Sequence, residues 1–341
     1  MSATRRAALA SLLAVPALIG HRANASAAAR TLRISHQFPG GTANNQGDFR
    51  DRLVRRFAAE VQRRTHGELE FEIYPGSSLM KTVGQFSALR RGELDLTLYP
   101  LAYAGDEMIE VNIGLMPCLV TTYEQGLAWK GKPVGRELTN VLDQHGVRIV
   151  TWIWQAGGVA SRNSFVVQPD DVRGLKIRGG SREMDIMLKA AGGIIGTLPS
   201  DEIHAAMQAG ELDAAVTSST SLISFRLEQI SKAITTGRTG SFWFMLEPLL
   251  MSKQVYESLT PLQQKTIDEV GLEQEAFAMR AARQDDEDLA DVYAKVGVAA
   301  KTMDSTAIDK WRELAQRTAW KDFADRNVRC ELLLKLAELV P

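Results

Sequence analysis

The chain has 341 residues, 45% of them hydrophobic and 24% charged, with a formal net charge of -1. This is globular material with enough apolar content for a sizeable core, and the length suits about two domains. The near-neutral balance removes the electrostatic case for nucleic-acid binding.

Residues 1–29 differ from the rest. The first acidic residue is Asp48; Arg5 and Arg6 lead into an apolar run from Ala7 to Gly20, followed by the small-x-small patterns Ala23-Asn-Ala25 and Ala25-Ser-Ala27. These three parts predict a cleaved secretory signal peptide over 1–29, and the adjacent arginines hint at the twin-arginine route, although the motif around them is thin. The run is too short to span a bilayer comfortably and no later stretch is long enough, so no stable membrane insertion is expected after cleavage. Cleavage removes Arg5, Arg6 and Arg22, giving a mature charge of -1 - 3 = -4.

After the leader, Leu32-Arg-Ile-Ser35 reads as a strand whose end places Gln37 and Phe38 within reach of a cleft. Asn44 and Asn45 open the next helix, where donors suit anions. Residues 48–65 carry Phe49, Leu53, Phe57 and Val61 at every fourth position, on one helical face. Glu68-Leu-Glu-Phe-Glu-Ile-Tyr74 alternates as a strand does. A helical stretch over 83–91 then ends at Gly92, and Gly92-Glu-Leu-Asp-Leu-Thr97 begins another strand. The first half is therefore β-α-β-α-β.

Residues 146–154 form a strand that crosses to a second lobe. Trp152 and Trp154 share a face of it, as a stacking wall for a ligand or as core packing. The second half repeats the first: strand 175–178, helix 182–191, strand 194–198, a helix capped by Ser200, and strand 211–217. Gly210-Glu-Leu-Asp213 echoes the earlier Gly-Glu-Leu-Asp. A second crossing is expected at 242–252. The C-terminal third reads as helical. The capping box Thr260-Pro-Leu-Gln263 opens a long helix running to about Asp285-Asp286, an acidic cluster that reads as a solvated face.

These elements predict an α/β fold of two lobes with parallel-rich sheets, hinge strands and a long linking helix. Lobe I takes residues 30–152 with about 241–280 returning to it. Lobe II takes 153–240, with part of 281–341 packing on it.

Enzyme signatures are missing: there is no HExxH, G-x-S-x-G elbow, P-loop or Rossmann fingerprint. The histidines are scattered, so neither a metal site nor a cofactor is expected, and Cys118 and Cys330 read as two unpaired buried thiols. Polar groups suited to a ligand are better represented. Arg178 ends the strand Gly174-Leu-Lys-Ile-Arg178, at the strand end where open α/β sheets bind ligands. Its guanidinium suits a carboxylate held bidentately; the alternative is an ion pair with Glu183 or Asp185. Thr217 and Ser218 follow the second Gly-Glu-Leu-Asp strand, as ligand hydroxyls or as a polar turn. Arg162 is a second candidate cation, or a surface arginine. Gly179-Gly180 would widen the pocket beside Arg178.

One family joins these features. Leu32-Arg-Ile-Ser-His36, Tyr74-Pro-Gly76, Gly92-x-Leu-Asp95, Leu115-Met-Pro117, Gly174-Leu-Lys-Ile-Arg178 and Gln208-x-Gly-x-Leu-Asp213 occur in an order that resembles the DctP-type solute-binding proteins of TRAP transporters, over about residues 31–330. The resemblance implies a periplasmic receptor, not an enzyme. It would close around a small organic acid and deliver it to the membrane permease subunits. It also implies that Arg178 makes the salt bridge to the ligand carboxylate. The chain departs from the family where many members place an asparagine after the second Gly-x-x-Asp strand; Val216 and Thr217 stand there. A second ligand arginine found upstream in some members has no match, since Gly157-Gly158 fall there. Some members bridge ligand and protein with a metal ion, but the sequence offers no clean ligand set. The other readings are a receptor for a different permease or signalling system, and an exported enzyme on the same fold.

Overall fold

The computed structural model describes residues 29–41, 47–237 and 240–341. Residues 1–28 of the predicted leader, and Asn44 and Asn45, lie outside the described residues.

The strands follow in chain order as β1 (Arg30–Ser35), β2 (Leu69–Tyr74), β3 (Leu96–Leu98), β4 (Val147–Thr151), β5 (Trp154–Ser161), β6 (Lys176–Arg178), β7 (Ile194–Ile195), β8 (Ala214–Ser218), β9 (Ala233–Thr236), β10 (Phe244–Leu246), β11 (Leu249–Ser252) and β12 (Ala299–Thr302). Four helices matter most for the site: α1 (Phe49–Arg64), α2 (Arg182–Ala190), α3 (Ser219–Ser224) and α4 (Pro261–Ala294). One sheet has the order β2-β1-β3-β11-β4 and defines lobe I. The other, β12-β9-β5-β8-β6-β7 with β10 beside β5, defines lobe II. The chain crosses between them from β4 to β5 and returns from β10 to β11, at the two places the sequence predicts.

The crossings explain why the sheets are evenly mixed instead of parallel-rich. Among the described residues five strand pairs are parallel and five antiparallel. Every antiparallel pair contains β5 or β11. These two strands enter their lobes from the cleft, whereas β1, β3, β6 and β8 run toward it. An entering strand must oppose its neighbours.

Helix α1 begins at Asp48, whose side chain accepts from Arg50 N, and buries Phe49, Leu53, Phe57 and Val61. Helix α4 starts with the predicted capping box, in which Thr260 and Gln263 satisfy each other's backbone N–H. It packs on α1 of lobe I and α3 of lobe II. Gly271 permits its close approach to the crossing strand, since a Cβ there would lie 2.4 Å from Val150 O.

The structure corrects two expectations for the C-terminal part. The chain after α4 is not wholly helical: β12 pairs in parallel with β9. All four of its residues are exposed, so no apolar alternation marks it. Helix α4 also runs past the acidic cluster, and Asp286 is buried instead of solvated. Asp286 accepts a short hydrogen bond from Tyr123 Oη, and Asp285 one of 2.7 Å from Thr220 Oγ1. Burial, only partly opposed by bonds from Ser219 and Tyr123, pushes the Asp286 carboxyl up from 3.8 to about 6.

The folded chain thus retains a proton at Asp286 that the unfolded chain releases. This contribution to stability is complete below pH 3.8 and is lost as pH rises through about 6. Asp286→Asn, which cannot ionise, should gain melting temperature relative to the parent between roughly pH 5 and pH 8. An unchanged difference between the two proteins across that range would refute this.

Candidate functional site between the lobes

Arg178 ends β6 and is 1% exposed. Its Nε donates to Leu198 O (3.1 Å), Nη1 to Val216 O (2.8 Å) and Nη2 to Tyr103 Oη (2.6 Å). Tyr103 belongs to lobe I, in the turn after β3, and its hydroxyl oxygen also accepts from Ser200 N at 3.0 Å. Arg178 therefore joins the lobes through one phenol. No carboxylate of the described residues pairs with it: Glu183 pairs with Arg182, and Asp185 Oδ1 accepts from Gly179 N at 3.1 Å. Burial pushes the Asp185 carboxyl up to about 6 despite the nearby charge of Arg178. A guanidinium has five N–H donors. Three of them have partners, leaving two at a buried cation with no counter-ion among the described residues. An isolated buried charge costs several kcal/mol, so the arrangement favours an incoming anion.

The two glycines that follow do not widen the pocket. A Cβ on Gly179 would lie 2.6 Å from Asp185 Oδ1 and 2.9 Å from Met184 Cβ, against α2. Gly180 has φ +94°, and a Cβ there would lie 2.5 Å from Arg178 Nη1. The space is filled by the helix and by the arginine itself. Gly180→Ala would displace the guanidinium and strain a left-handed backbone position. It should cost about 1–3 kcal/mol of stability and weaken carboxylate binding together with it. A calorimetric melt and a titration check both; an unchanged melting temperature refutes the packing argument.

A second buried cluster lies where α1, α3 and the return crossing meet. Arg50 is fully buried. It donates to Asp48 (Nη2–Oδ2 2.6 Å), Glu247 (Nη1–Oε2 2.9 Å), Ser221 (Nη2–Oγ 3.0 Å) and Ser218 (Nη1–Oγ 3.5 Å). Its Nε adds a 2.8 Å bond to Asp48 Oδ1, and its Cζ lies 3.6 Å from the centre of the Phe38 ring. Burial would raise the Asp48 carboxyl, but the charge and hydrogen bonds of Arg50 outweigh it and hold it below 3.8. At Glu247 burial wins over Arg50, and the carboxyl is raised. Gln155 Nε2 makes a short hydrogen bond to Glu247 Oε2.

The two clusters share one end of the lobe II sheet. Arg178 is in register with Ala215 of β8, and Ser218 closes that strand opposite Gly157 of β5. Trp243 links Gly157 to Arg178's neighbour: its O accepts from Gly157 N (3.0 Å) and its Nε1 donates to Gly179 O (3.1 Å). A cavity of about 570 Å³ opens between the lobes beside Tyr103 and Leu198, two partners of Arg178, with Tyr103 and Asn112 on one side and Gly180, Asp185 and Leu198 on the other; the Arg50 cluster does not line it.

Of the residues singled out from the sequence, the structure brings Arg178, Thr217, Ser218 and Phe38 to this region. Thr217 is buried, Ser218 caps α3 and contacts Arg50, and Phe38 is the platform under Arg50. Trp154 goes elsewhere: its ring packs at 5.1 Å and 75° on Trp129, and Gly126 leaves room for it. Alternation along β5 then aims the next residue, Gln155, at the cluster. Arg162 follows β5 beside Asp213, whose O accepts its N–H at 2.9 Å. That is the end where β8 starts, and the guanidinium lies by Gly210, where an added Cβ would be 3.2 Å from Arg162 Nη1; Arg162 does not line the cavity. Asn45 lies outside the described residues.

Tyr103, Arg50, Glu247 and Gln155 were missed. Only Glu247 carried a signal, as a lone acid inside the apolar crossing segment 242–252.

Comparison with known proteins agrees with this architecture. The profile of bacterial extracellular solute-binding proteins, family 7 (DctP), matches residues 41–327. A solute-binding protein of Albidiferax ferrireducens is 59% identical over 307 residues, 90% of each chain. The C4-dicarboxylate-binding periplasmic protein DctP of Rhodobacter capsulatus is 22% identical over 92% of this chain and 88% of its own. Among solved structures, a TRAP periplasmic solute-binding protein from Rhodoferax ferrireducens, with bound malonate, superposes with a TM-score of 0.89 at 58% identity, covering 91% of this chain and 98% of that one. A Desulfovibrio salexigens TRAP solute-binding protein with bound orotic acid gives 0.81 at 22% identity, over 90% and 97%. The chain belongs to the DctP family of TRAP periplasmic solute-binding proteins.

Proposed function

We propose that this protein captures a small organic acid between its lobes, with Arg178 as the carboxylate anchor, and presents it to a TRAP membrane permease without chemical turnover. The observation that carries the reading is the buried guanidinium of Arg178. It has two N–H donors to spare and no counter-ion among the described residues. The malonate bound by the 58%-identical relative is in keeping with a small carboxylate ligand here. The charge set around the cleft is consistent with a low number of anionic groups on the ligand. Arg50 is already neutralised by Asp48 and Glu247 and Arg182 by Glu183 and Asp322, which leaves Arg178 as the buried cation available, with Lys189 also lining the cavity.

Closure would hinge on the β4–β5 and β10–β11 crossings, with α4 spanning both lobes. Ligand bonds to Arg178 add to the Tyr103 bridge and shift the open–closed balance by their differential energy. Lobe I would comprise residues 30–152 and 241–280, and export through the leader over 1–29 would place the receptor in the periplasm. The test is a thermal-shift screen of the mature chain against organic acids. Stabilisation by carboxylates, absent for their methyl esters, supports the reading. A panel in which no carboxylate stabilises the protein sinks it.

A further inference from the structure

Beyond Arg178 and Tyr103, a second group of side chains joins the lobes at the rim of the cavity. Lobe I supplies two hydroxyls: Ser77, just after β2, and Thr82, which opens the short turn Thr82–Gly84. Lobe II supplies Asp201, in the turn Ser200–Glu202 that leads into the helix Ile203–Ala209. Ser77 Oγ donates to Asp201 Oδ2 at 3.0 Å, and Thr82 Oγ1 faces the same oxygen at 3.3 Å. The two hydroxyl oxygens are 2.9 Å apart. None of the three residues lines the cavity, but Val83, next to Thr82, and Pro199, two residues before Asp201, line it from opposite lobes.

The lobe I side is held in place and strained. Ser77 has φ +56°, a left-handed position that a residue with a Cβ rarely takes. Its N–H donates to His36 O, and that of Gly76 to Phe38 O, both at 2.9 Å, so the turn is fixed to the end of β1. Glycine would fit this backbone with less strain. It would lack the hydroxyl that meets Asp201, and strain retained at one residue points to a contact worth keeping.

The lobe II side runs directly from the anchor. Within four residues Leu198 O accepts from Arg178 Nε, Ser200 N donates to Tyr103 Oη, and Asp201 accepts from lobe I. The contact is modest by itself. Two hydroxyl hydrogens serve three close oxygen pairs, so one pair has no hydrogen between its atoms. Asp201 Oδ1 is buried with no hydrogen-bond partner among the described residues, which offsets part of the gain.

We propose that Ser77, Thr82 and Asp201 form a latch between the lobes, which slows escape of the bound acid without touching it. This rests on closure around an acid held by Arg178 and adds the element that holds the closed form. The latch is too weak to keep the empty receptor shut, and it adds to a balance that the bound anion has already shifted.

The experiment is stopped-flow measurement of association and dissociation with two acids of different size that bind in the screen, malonate among the candidates, alongside melting of the ligand-free proteins. Asp201→Ala should raise the dissociation rate about tenfold, the equivalent of one charge-assisted bond, and leave association within about twofold. The factor should be equal for both acids, because the latch meets the other lobe and not the ligand. Asp201→Asn keeps an acceptor and should stay within about threefold of the parent. Ser77→Gly should also speed dissociation, while its ligand-free melting temperature holds or rises because the backbone strain is relieved. In the double variant of Ser77→Gly and Asp201→Ala the two effects should not multiply. Four results overturn the latch: unchanged dissociation in Asp201→Ala, a factor that differs between the acids, multiplying effects in the double variant, or a lower melting temperature for Ser77→Gly. Should any of these occur while Arg178→Ala abolishes binding, the carboxylate anchor stands without the latch. A screen in which no acid binds sinks both.

Discussion

Arg178→Ala should lower carboxylate affinity by about a hundredfold or more. Two charge-assisted hydrogen bonds to a carboxylate contribute roughly 1.5–3 kcal/mol each, and each 1.4 kcal/mol is a factor of ten. The loss is larger than for an exposed arginine because Arg178 is 1% exposed and its charge is screened little by solvent. Arg178→Lys keeps the charge but not the planar fork, which now holds Leu198 O, Val216 O and Tyr103 Oη from three sides. It should recover only a minor part of the affinity. Titration of both variants with the best acid from the screen is the measurement. Equal affinity in Arg178→Ala and the parent would remove the anchor from the account.

Arg50→Met should have the largest effect on stability, without being a ligand contact. It would strand Asp48 and Glu247 as buried carboxyls, and breaking a buried pair from one side costs about 3–5 kcal/mol. For a chain of this length that is a fall in melting temperature of roughly 5–8 °C. Arg50→Met with Glu247→Gln should recover part of it, because one of the stranded carboxyls is then neutral. Scanning calorimetry on the three proteins decides this. A fall below about 1 °C for Arg50→Met would mean that the cluster opens to water and is not the dry junction its burial indicates. The cluster also joins lobe I to α3 through Ser218 and Ser221, so the variant should loosen the closed state as well as the fold.

The comparison of Trp154 with Gln155 shows how far sequence reading reaches. Period-two alternation establishes that neighbouring residues of β5 face opposite sides. It does not say which side is the cleft, because both faces of this strand are buried along its whole length. The sequence reading singles out Trp154 and passes over Gln155, yet the amide is the side chain that meets the cluster. Arg50 was hidden for a different reason. It stands in the first turn of an amphipathic helix rich in arginine, where a charge normally reads as solvated. Only the docking of α3 and the return crossing over that turn buries it. Asp286 follows the same logic on α4: four consecutive acids read as a solvent face until α3 and Tyr123 cover one of them.

The sequence by itself determined the two β-α-β-α-β units, the two crossings, the capping box of the long helix and the arginine at a strand end. Each depends on local periodicity, turn chemistry or chain order, which neighbours in sequence specify. Tertiary structure alone decided the pairing of entering strands against the others, the exposed strand β12, and the identity of the polar groups that face Arg178 across the cleft. Those depend on which surfaces meet when distant segments pack. Burial turns Arg50, Glu247 and Asp286 from ordinary surface charges into a junction and a proton-holding contact, and burial is a property of the assembled lobes, not of any one segment.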